Sequence, residues 1–546
     1  MKTKITKRVL SLLMILLLLF LTACAGSPDA TESGGGSLNT APAGSNPGEE
    51  TKDSRYGGVL NLTWDATADT LDPHYTTGWV SYIWSLNVFE SLLSRDNAGN
   101  ICPGVCNFEL SEDKLTLKLW VRDGLTFHDG TPVEIEDVVA SLERSASLIS
   151  NVNKYFLSMV ESCEIDGDTV TYRFTEFTPN TLYYVSGYQN FTSIMPKEIC
   201  EKYGKDPILT VKDCIGTGPY YMADYEPNVR FTLNRYDGYV LSDPSHDGMA
   251  GPKMAYMDTI NVWINNDPTS TTMALFNGEY DICMPDEEYA AMASEYGLVS
   301  SMDPIVNLTT LFFNTKGNRP VNDINLRMAI VYALDFEQLM KLEWGENYMM
   351  EACPMSQGNY YTDVFNNADY YGPTNLEKAA EYLAKSNYNG EELVCLVNNG
   401  YVTAIPVLAE SMLEAAGIQI RLEYMDNVAC TEYYSNNSNP YDMIFHTYAQ
   451  MAYTPSTISS TPKNTFWGNA EKDALFAEIG NYGPGEAGGI EAWQKLAQLW
   501  VDDCAVVNLG TQSYEFVYNA DLNPNWEGST RFFYNAYWNN PQDHMN

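Results

Sequence analysis

The sequence predicts an α/β protein divided into more than one lobe, and three observations carry that expectation. The chain beyond residue 55 is far longer than one hydrophobic core supports. Its first half holds short alternating strands and a capped amphipathic helix. Its second half alternates helix and strand in the order that builds a parallel sheet.

At the N-terminus, Lys2, Lys4, Lys7 and Arg8 precede an uncharged apolar run, 9–21, which ends at Thr22, Ala23 and Cys24. A run this short does not span a bilayer, which needs about 20 apolar residues. Basic flank, apolar stretch and small residues together read as a cleaved export signal, 1–23. Residues 24–55 are rich in Gly, Ser, Pro, Thr, Asn and acids, with Gly34, Gly35 and Gly36 in a row. Such a segment has too little to bury to offset its ordering entropy, so it reads as a flexible tether.

The chain carries 71 Asp plus Glu against 31 Lys plus Arg, a formal net charge of -40. That excess repels polyanions and excludes nucleic acid as a partner, while it suits solubility outside the cell. Ten cysteines remain beyond Cys24, and only Cys102 and Cys106 lie close together. No second pair and no His follow at zinc-site spacing, so no metal is expected; a disulfide at that pair and buried free thiols elsewhere both stay open.

The globular elements follow in order. Residues 58–66 alternate through Val59, Leu60, Leu62 and Trp64 and read as an opening strand. Leu115, Leu117, Leu119 and Val121 make another, closed by a turn at Asp123-Gly124. Thr131, Pro132 and Glu134 then have the spacing of a capping box, opening a helix whose apolar face is Ile135, Val138, Val139, Leu142 and Ile149. In the second half, Asn322-Asp323 caps a helix bearing Leu326, Ile330, Ala333 and Leu334, and Asp335 with Gln338 restarts a further one. Residues 376–385 are helical. A strand at 393–397, a helix at 404–416 stopped by Gly417, and a strand at 418–424 imply a right-handed crossover, and 441–445 adds a third strand.

Residues 117–132, Leu-Lys-Leu-Trp-Val-Arg-Asp-Gly-Leu-Thr-Phe-His-Asp-Gly-Thr-Pro, lead to Glu136-Asp137-Val138-Val139. This run resembles the signature segment of the peptide/nickel class (family 5) of solute-binding proteins that serve ABC importers. Three further segments agree in order: Ile215-Gly216-Thr217-Gly218-Pro219-Tyr220, the stretch 274–282, and Phe313-Asn314-Thr315 followed by 326–335. Leu21-Thr22-Ala23-Cys24 is similar to the bacterial lipobox, which implies an acylated Cys24 in the membrane, and more than one acyl chain is what stable anchoring requires.

The resemblance implies a two-lobed, periplasmic-binding-protein-like (type II) fold with an extra subdomain. Lobe I would comprise 56–75, 216–304 and 506–546, the inserted subdomain 76–215, and lobe II 305–505. Ligand would bind in the cleft between lobes and be handed to a membrane permease, with no cofactor and with a monomeric carrier at the outer face of the cell membrane.

The matched segments themselves are explained as scaffold, since 127–139 is a turn and capped helix and 326–335 an amphipathic helix. Ligand contacts are expected from aromatic residues in cleft loops: Trp79, Tyr82, Tyr183, Tyr360, Tyr361, Tyr401, Tyr448 and Trp467. The resemblance also implies that peptide binders hold the peptide amino group with an Asp after the strand equivalent to 441–445. Residues 446–455 contain no acid, and 351–362, where dipeptide members present a base, contain no Lys or Arg. An unpaired buried charge costs several kcal/mol, so a short zwitterionic peptide fits poorly. An oligopeptide-sized ligand leads, with an oligosaccharide or another non-peptide ligand as the alternative, and a sensor in place of a carrier is not distinguished. An exported hydrolase is disfavoured: the sequence has no nucleophile elbow, no HExxH and no Gly-rich phosphate loop.

Overall fold

The computed structural model describes residues 53–545 apart from 65–69, 76–78, 188–191, 286, 356–359, 400–401, 436–438, 450–466, 484 and 525–532. The export signal, Cys24 and nearly all of the tether therefore lie outside the described residues.

The first-lobe elements are β1 (Val59–Trp64) and α1 (Trp79–Val88), followed after the insert by β6 (Tyr220–Glu226), β7 (Arg230–Arg235), β8 (Thr259–Ile264) and β9 (Ile282–Cys283). The insert contributes β2 (Cys106–Leu110), β3 (Thr116–Val121), α2 (Ile135–Leu148), β4 (Val160–Asp166) and β5 (Thr169–Phe174). A long strand, β10 (Leu298–Phe313), leads into the second lobe. There α3 (Ile324–Ala333), α4 (Phe336–Trp344), β11 (Tyr348–Met349), α5 (Leu376–Lys385), β12 (Leu393–Asn398), α6 (Ala404–Ala415), β13 (Ile420–Met425), β14 (Met443–Ala449) and α7 (Ala487–Asp503) precede a second long strand, β15 (Val506–Asn519).

One eleven-stranded sheet runs through both lobes in the order β13-β12-β14-β10-β15-β9-β1-β8-β7-β6, with β11 beside β15. The insert has its own four-stranded antiparallel sheet, β2-β3-β5-β4. Strands β12 and β13 are parallel across α6, as the crossover rule requires, and β12 is parallel to β14. Gly417, at φ +83, ends α6 in a backbone conformation that a side chain would strain.

Among the described residues, the three largest cores stand apart. Leu308 through Leu509 supply the second-lobe core, Leu60 through Val262 with Phe516 and Trp538 the first, and Leu92 through Ile194 the insert. Trp84 and Val88 of α1 and Phe89 just after it, together with Met195, Ile199 and Cys214, pack into the first-lobe core. Strand β15 likewise serves both sides, with Val506, Val507 and Leu509 in the second core and Phe516 in the first.

The capping of α2 differs from the sequence expectation. The box is formed by Glu134 and Asp137, whose carboxylate accepts from the Glu134 N–H at 2.8 Å, so the helix starts at Ile135. Thr131 and Pro132 belong instead to a turn: Phe127 N–H donates to the Thr131 carbonyl at 2.8 Å, and Asp129 accepts from the Thr131 N–H at 3.0 Å. The caps at Asp323 and Asp335 are formed as the sequence implies.

Buried ion pairs tie the elements together. Arg144 on α2 donates to Asp72 at 2.9 Å, fixing the insert to the first lobe's entry segment, and both side chains are almost wholly enclosed. Arg327 on α3 donates to the Asp503 carboxylate at 2.8 Å and to the Val321 carbonyl at 2.7 Å. The ten cysteines beyond Cys24 are free thiols, all buried except Cys163.

Candidate functional site: the junction of the two lobes

Strand direction decides where a cleft can form. In the second lobe, β14 runs antiparallel to β10, and its last residue, Ala449, lies opposite Asn307. In the first lobe, β1 is parallel to β9, and β9 pairs antiparallel with β15 at Tyr518 and Val517. The carboxyl ends of β1 and β9 therefore run toward the middle of β15, and those of β12 and β14 run toward the middle of β10. Open α/β sheets place ligand crevices at such strand ends. Both lobes aim them at one stretch, 303–307 opposite 512–514.

That stretch is irregular. Asp303 pairs with Tyr514 and Asn307 with Gln512, so three residues of β10 oppose one of β15. Pro304, which lacks an N–H, falls where the ladder is broken. Asn307 Nδ2 reaches Gln512 at 3.4 Å and the Tyr514 hydroxyl at 3.3 Å. Among the described strands, β10 and β15 are the two that run from the second-lobe half of the sheet into the first-lobe half, and the bulge interrupts their pairing.

On the second-lobe side a polar network lines the junction. Asn508 accepts from Thr310 at 2.9 Å and from the Tyr448 hydroxyl at 3.2 Å, and donates to the Ala352 carbonyl at 2.7 Å. Thr511 donates to the Glu351 carbonyl at 3.0 Å. The Glu351 carboxylate accepts from the Tyr361 hydroxyl at 2.7 Å, from Asn366 at 2.8 Å and from the Cys353 N–H at 2.8 Å. An acid therefore occupies the loop that the resemblance associates with a base in dipeptide binders.

The aromatic residues singled out from the sequence fall in different settings. Tyr448 joins the network through Asn508, and Tyr361, 40% exposed, joins it through Glu351. Tyr360 is 2% exposed, and its hydroxyl donates to the Gly483 carbonyl at 3.4 Å. Trp467 is enclosed in the second core, its indole N–H donating to Asp503. Tyr183 ends a short helix of the insert, with the Arg95 guanidinium 4.2 Å over its ring. Trp79 and Tyr82 lie on α1, but their side chains, like Tyr401 as a whole, fall outside the described residues.

Sequence reading missed Asn307, Asn508, Gln512 and Tyr514, because Pro304 and Gly510 interrupt the patterns of the two crossing strands. His128, by contrast, is fully used in the scaffold. Its Nδ1 accepts from the Gly216 N–H at 3.2 Å, which leaves Nε2 to donate to the Gly218 carbonyl at 3.0 Å, and burial holds its pKa down at about 4.

The family model of bacterial extracellular solute-binding proteins, family 5, matches residues 73–469. A probable peptide ABC transporter periplasmic-binding protein of Sinorhizobium fredii is 28% identical over 60% of this chain and 62% of its own length. The oligopeptide-binding protein of Bacillus subtilis is 24% identical over 63% of this chain and 64% of its own. The matches thus span less than two thirds of the length of these two relatives. Among solved structures, the ABC transporter substrate-binding protein CtaP of Listeria monocytogenes shares the fold with a TM-score of 0.72 at 20% identity, covering 88% of this chain and 99% of that one.

Proposed function

Because the chain belongs to the bacterial extracellular solute-binding proteins of family 5, we propose that it captures an oligopeptide-sized ligand by closure of its two lobes and delivers it to an ABC permease. The names of the relatives from Sinorhizobium fredii and Bacillus subtilis support a peptide cargo. The observation that carries the reading is the convergence of both lobes' strand ends on the bulged crossing strands, since a ligand touching both lobes there favours the closed state by its differential affinity. No catalytic step is required.

The placement of Glu351 refines the cargo. A free peptide carboxylate beside that acid meets like charge, so a longer peptide whose terminus lies elsewhere is favoured over a dipeptide. The same observation leaves a second reading, an uncharged glycan-like ligand seated on tyrosines and amides. Native mass spectrometry of protein taken from its own cells separates them. A peptide mass that rebinds unaltered supports the first reading and a glycan mass the second, while cleavage of the returned ligand sinks both.

The anchoring belongs to the same proposal: residues 1–23 are removed, Cys24 is acylated, and 24–55 tether the lobes to a monomeric carrier's membrane. Cys24→Ala is expected to move the protein from the membrane fraction into the medium; unchanged membrane retention contradicts the anchor.

A further inference from the structure

Ser513 sits on β15 where the ladder to β10 is interrupted. Its neighbours Gln512 and Tyr514 pair with Asn307 and Asp303, so residues 304–306 stand opposite Ser513 alone. The Ser513 N–H donates to the Asn347 carbonyl at 3.0 Å, just before β11, which holds the backbone on that side of the strand.

The side chain has no such partner. Ser513 is 1% exposed, and its hydroxyl makes no hydrogen bond with any described residue. Two residues earlier, on the same face of the strand, Thr511 donates to the Glu351 carbonyl at 3.0 Å, and before it Asn508 donates to the Ala352 carbonyl at 2.7 Å. The polar side chains that β15 turns toward 351–352 are therefore bonded up to Thr511, and the series stops at Ser513.

An enclosed hydroxyl without a partner is costly, because it has given up its bonds to water and gained none. Alanine would fill nearly the same space without that cost, so packing alone does not call for serine here. The cost disappears in any other arrangement of the chain that brings an acceptor to the hydroxyl. The place favours one: β10 and β15 run from one lobe's half of the sheet into the other's, and 304–306 give β10 slack opposite Ser513. A shift of β10 against β15 would carry different main-chain carbonyls past this side chain.

We propose that Ser513 is a conformational switch residue. Its hydroxyl is unbonded in the lobe arrangement described here and donates to a main-chain carbonyl of 304–306 in a second arrangement, which biases the unliganded chain toward the second. The proposal rests on the reading that the two lobes move against each other, and it assigns to one side chain a share of the balance between their arrangements.

Small-angle X-ray scattering of the dialysed parent and Ser513→Ala, with thermal melting of both, tests this. Without the hydroxyl, the arrangement described here loses its penalty and the second loses its bond, so their ratio shifts about tenfold toward this structure. The variant's scattering should match the profile calculated from this structure more closely than the parent's does, and the variant should melt at or above the parent temperature. Identical profiles, or a shift away from this structure, would overturn the proposal. A lower melting temperature in Ser513→Ala would overturn it too, since the hydroxyl would then be bonded already. If the two profiles coincide while the parent contracts on adding the peptides of a peptic casein digest, Ser513 fails alone. If the parent's profile is invariant to both the substitution and the digest, the movement of the lobes fails with it.

Discussion

Asn307 on β10 stands 3.4 Å from the Gln512 side chain on β15, beside the bulge through which the two lobes are joined. The bond is long and partly exposed, so it contributes little to stability, yet it spans the segment that would flex under the proposed closure.

Asn307→Ala should therefore cost under about 1 kcal/mol in urea unfolding. Ligand affinity should fall by more than that cost implies, about three- to tenfold, because a loosened junction lowers the population of the closed, binding-competent state. Affinity unchanged within error would remove Asn307 from the hinge.

Arg144→Met should be far more damaging. It leaves the Asp72 carboxylate enclosed with the Ile208 and His74 N–H groups but no cation, and stranding one member of a buried pair costs about 3–5 kcal/mol. Adding Asp72→Asn to the same chain should recover part of the loss. Equal urea midpoints for parent and Arg144→Met would show that the pair does not join the insert to the first lobe.

Acid should weaken the same corner. His74 is 1% exposed, with Nδ1 facing Arg144 at 3.3 Å and Nε2 bonded to the Ser193 carbonyl at 2.8 Å. Burial, together with that guanidinium, brings its pKa down to about 4. Between about pH 6.5 and 4 the unfolded chain therefore binds the proton and the folded chain does not. The stability contribution is complete above about 6.5 and is lost as pH falls toward 4, reaching about 3 kcal/mol. His74→Gln should flatten the pH dependence of unfolding across that window; an unaltered slope would show that His74 does not set it.

Gly218→Ala should destabilise the first lobe by about 1–3 kcal/mol, because an added Cβ would meet the Asn87 carbonyl at 2.5 Å, and backbone cannot yield as a side-chain tip does. Gly216 is similarly crowded by the Val88 carbonyl. Thermal melting of the two alanine variants checks this, and parent-like melting would mean that α1 can shift away.

Much of this architecture was legible in the sequence where local chemistry and tertiary packing agree. The Asp335 and Gln338 cap, the helix at Leu376–Lys385 and the crossover through α6 all came from short-range signals that the fold then uses unchanged. The two crossing strands were not legible. Pro304 and Gly510 are strand breakers in isolation, and only the bulge and the close approach of the Met349 carbonyl to Gly510 explain their places. The aromatic residues show the same limit. Tyr360 and Trp467 resemble Tyr361 in type, and depth of burial, which no single sequence states, separates them.

The most direct test of the whole account is small-angle X-ray scattering of the purified chain with and without the ligand recovered from its own cells. Closure predicts that the radius of gyration falls on saturation, that the fall follows the binding isotherm, and that the ligand is recovered chemically intact. An unchanged radius at full occupancy would contradict a carrier whose lobes shut around its cargo.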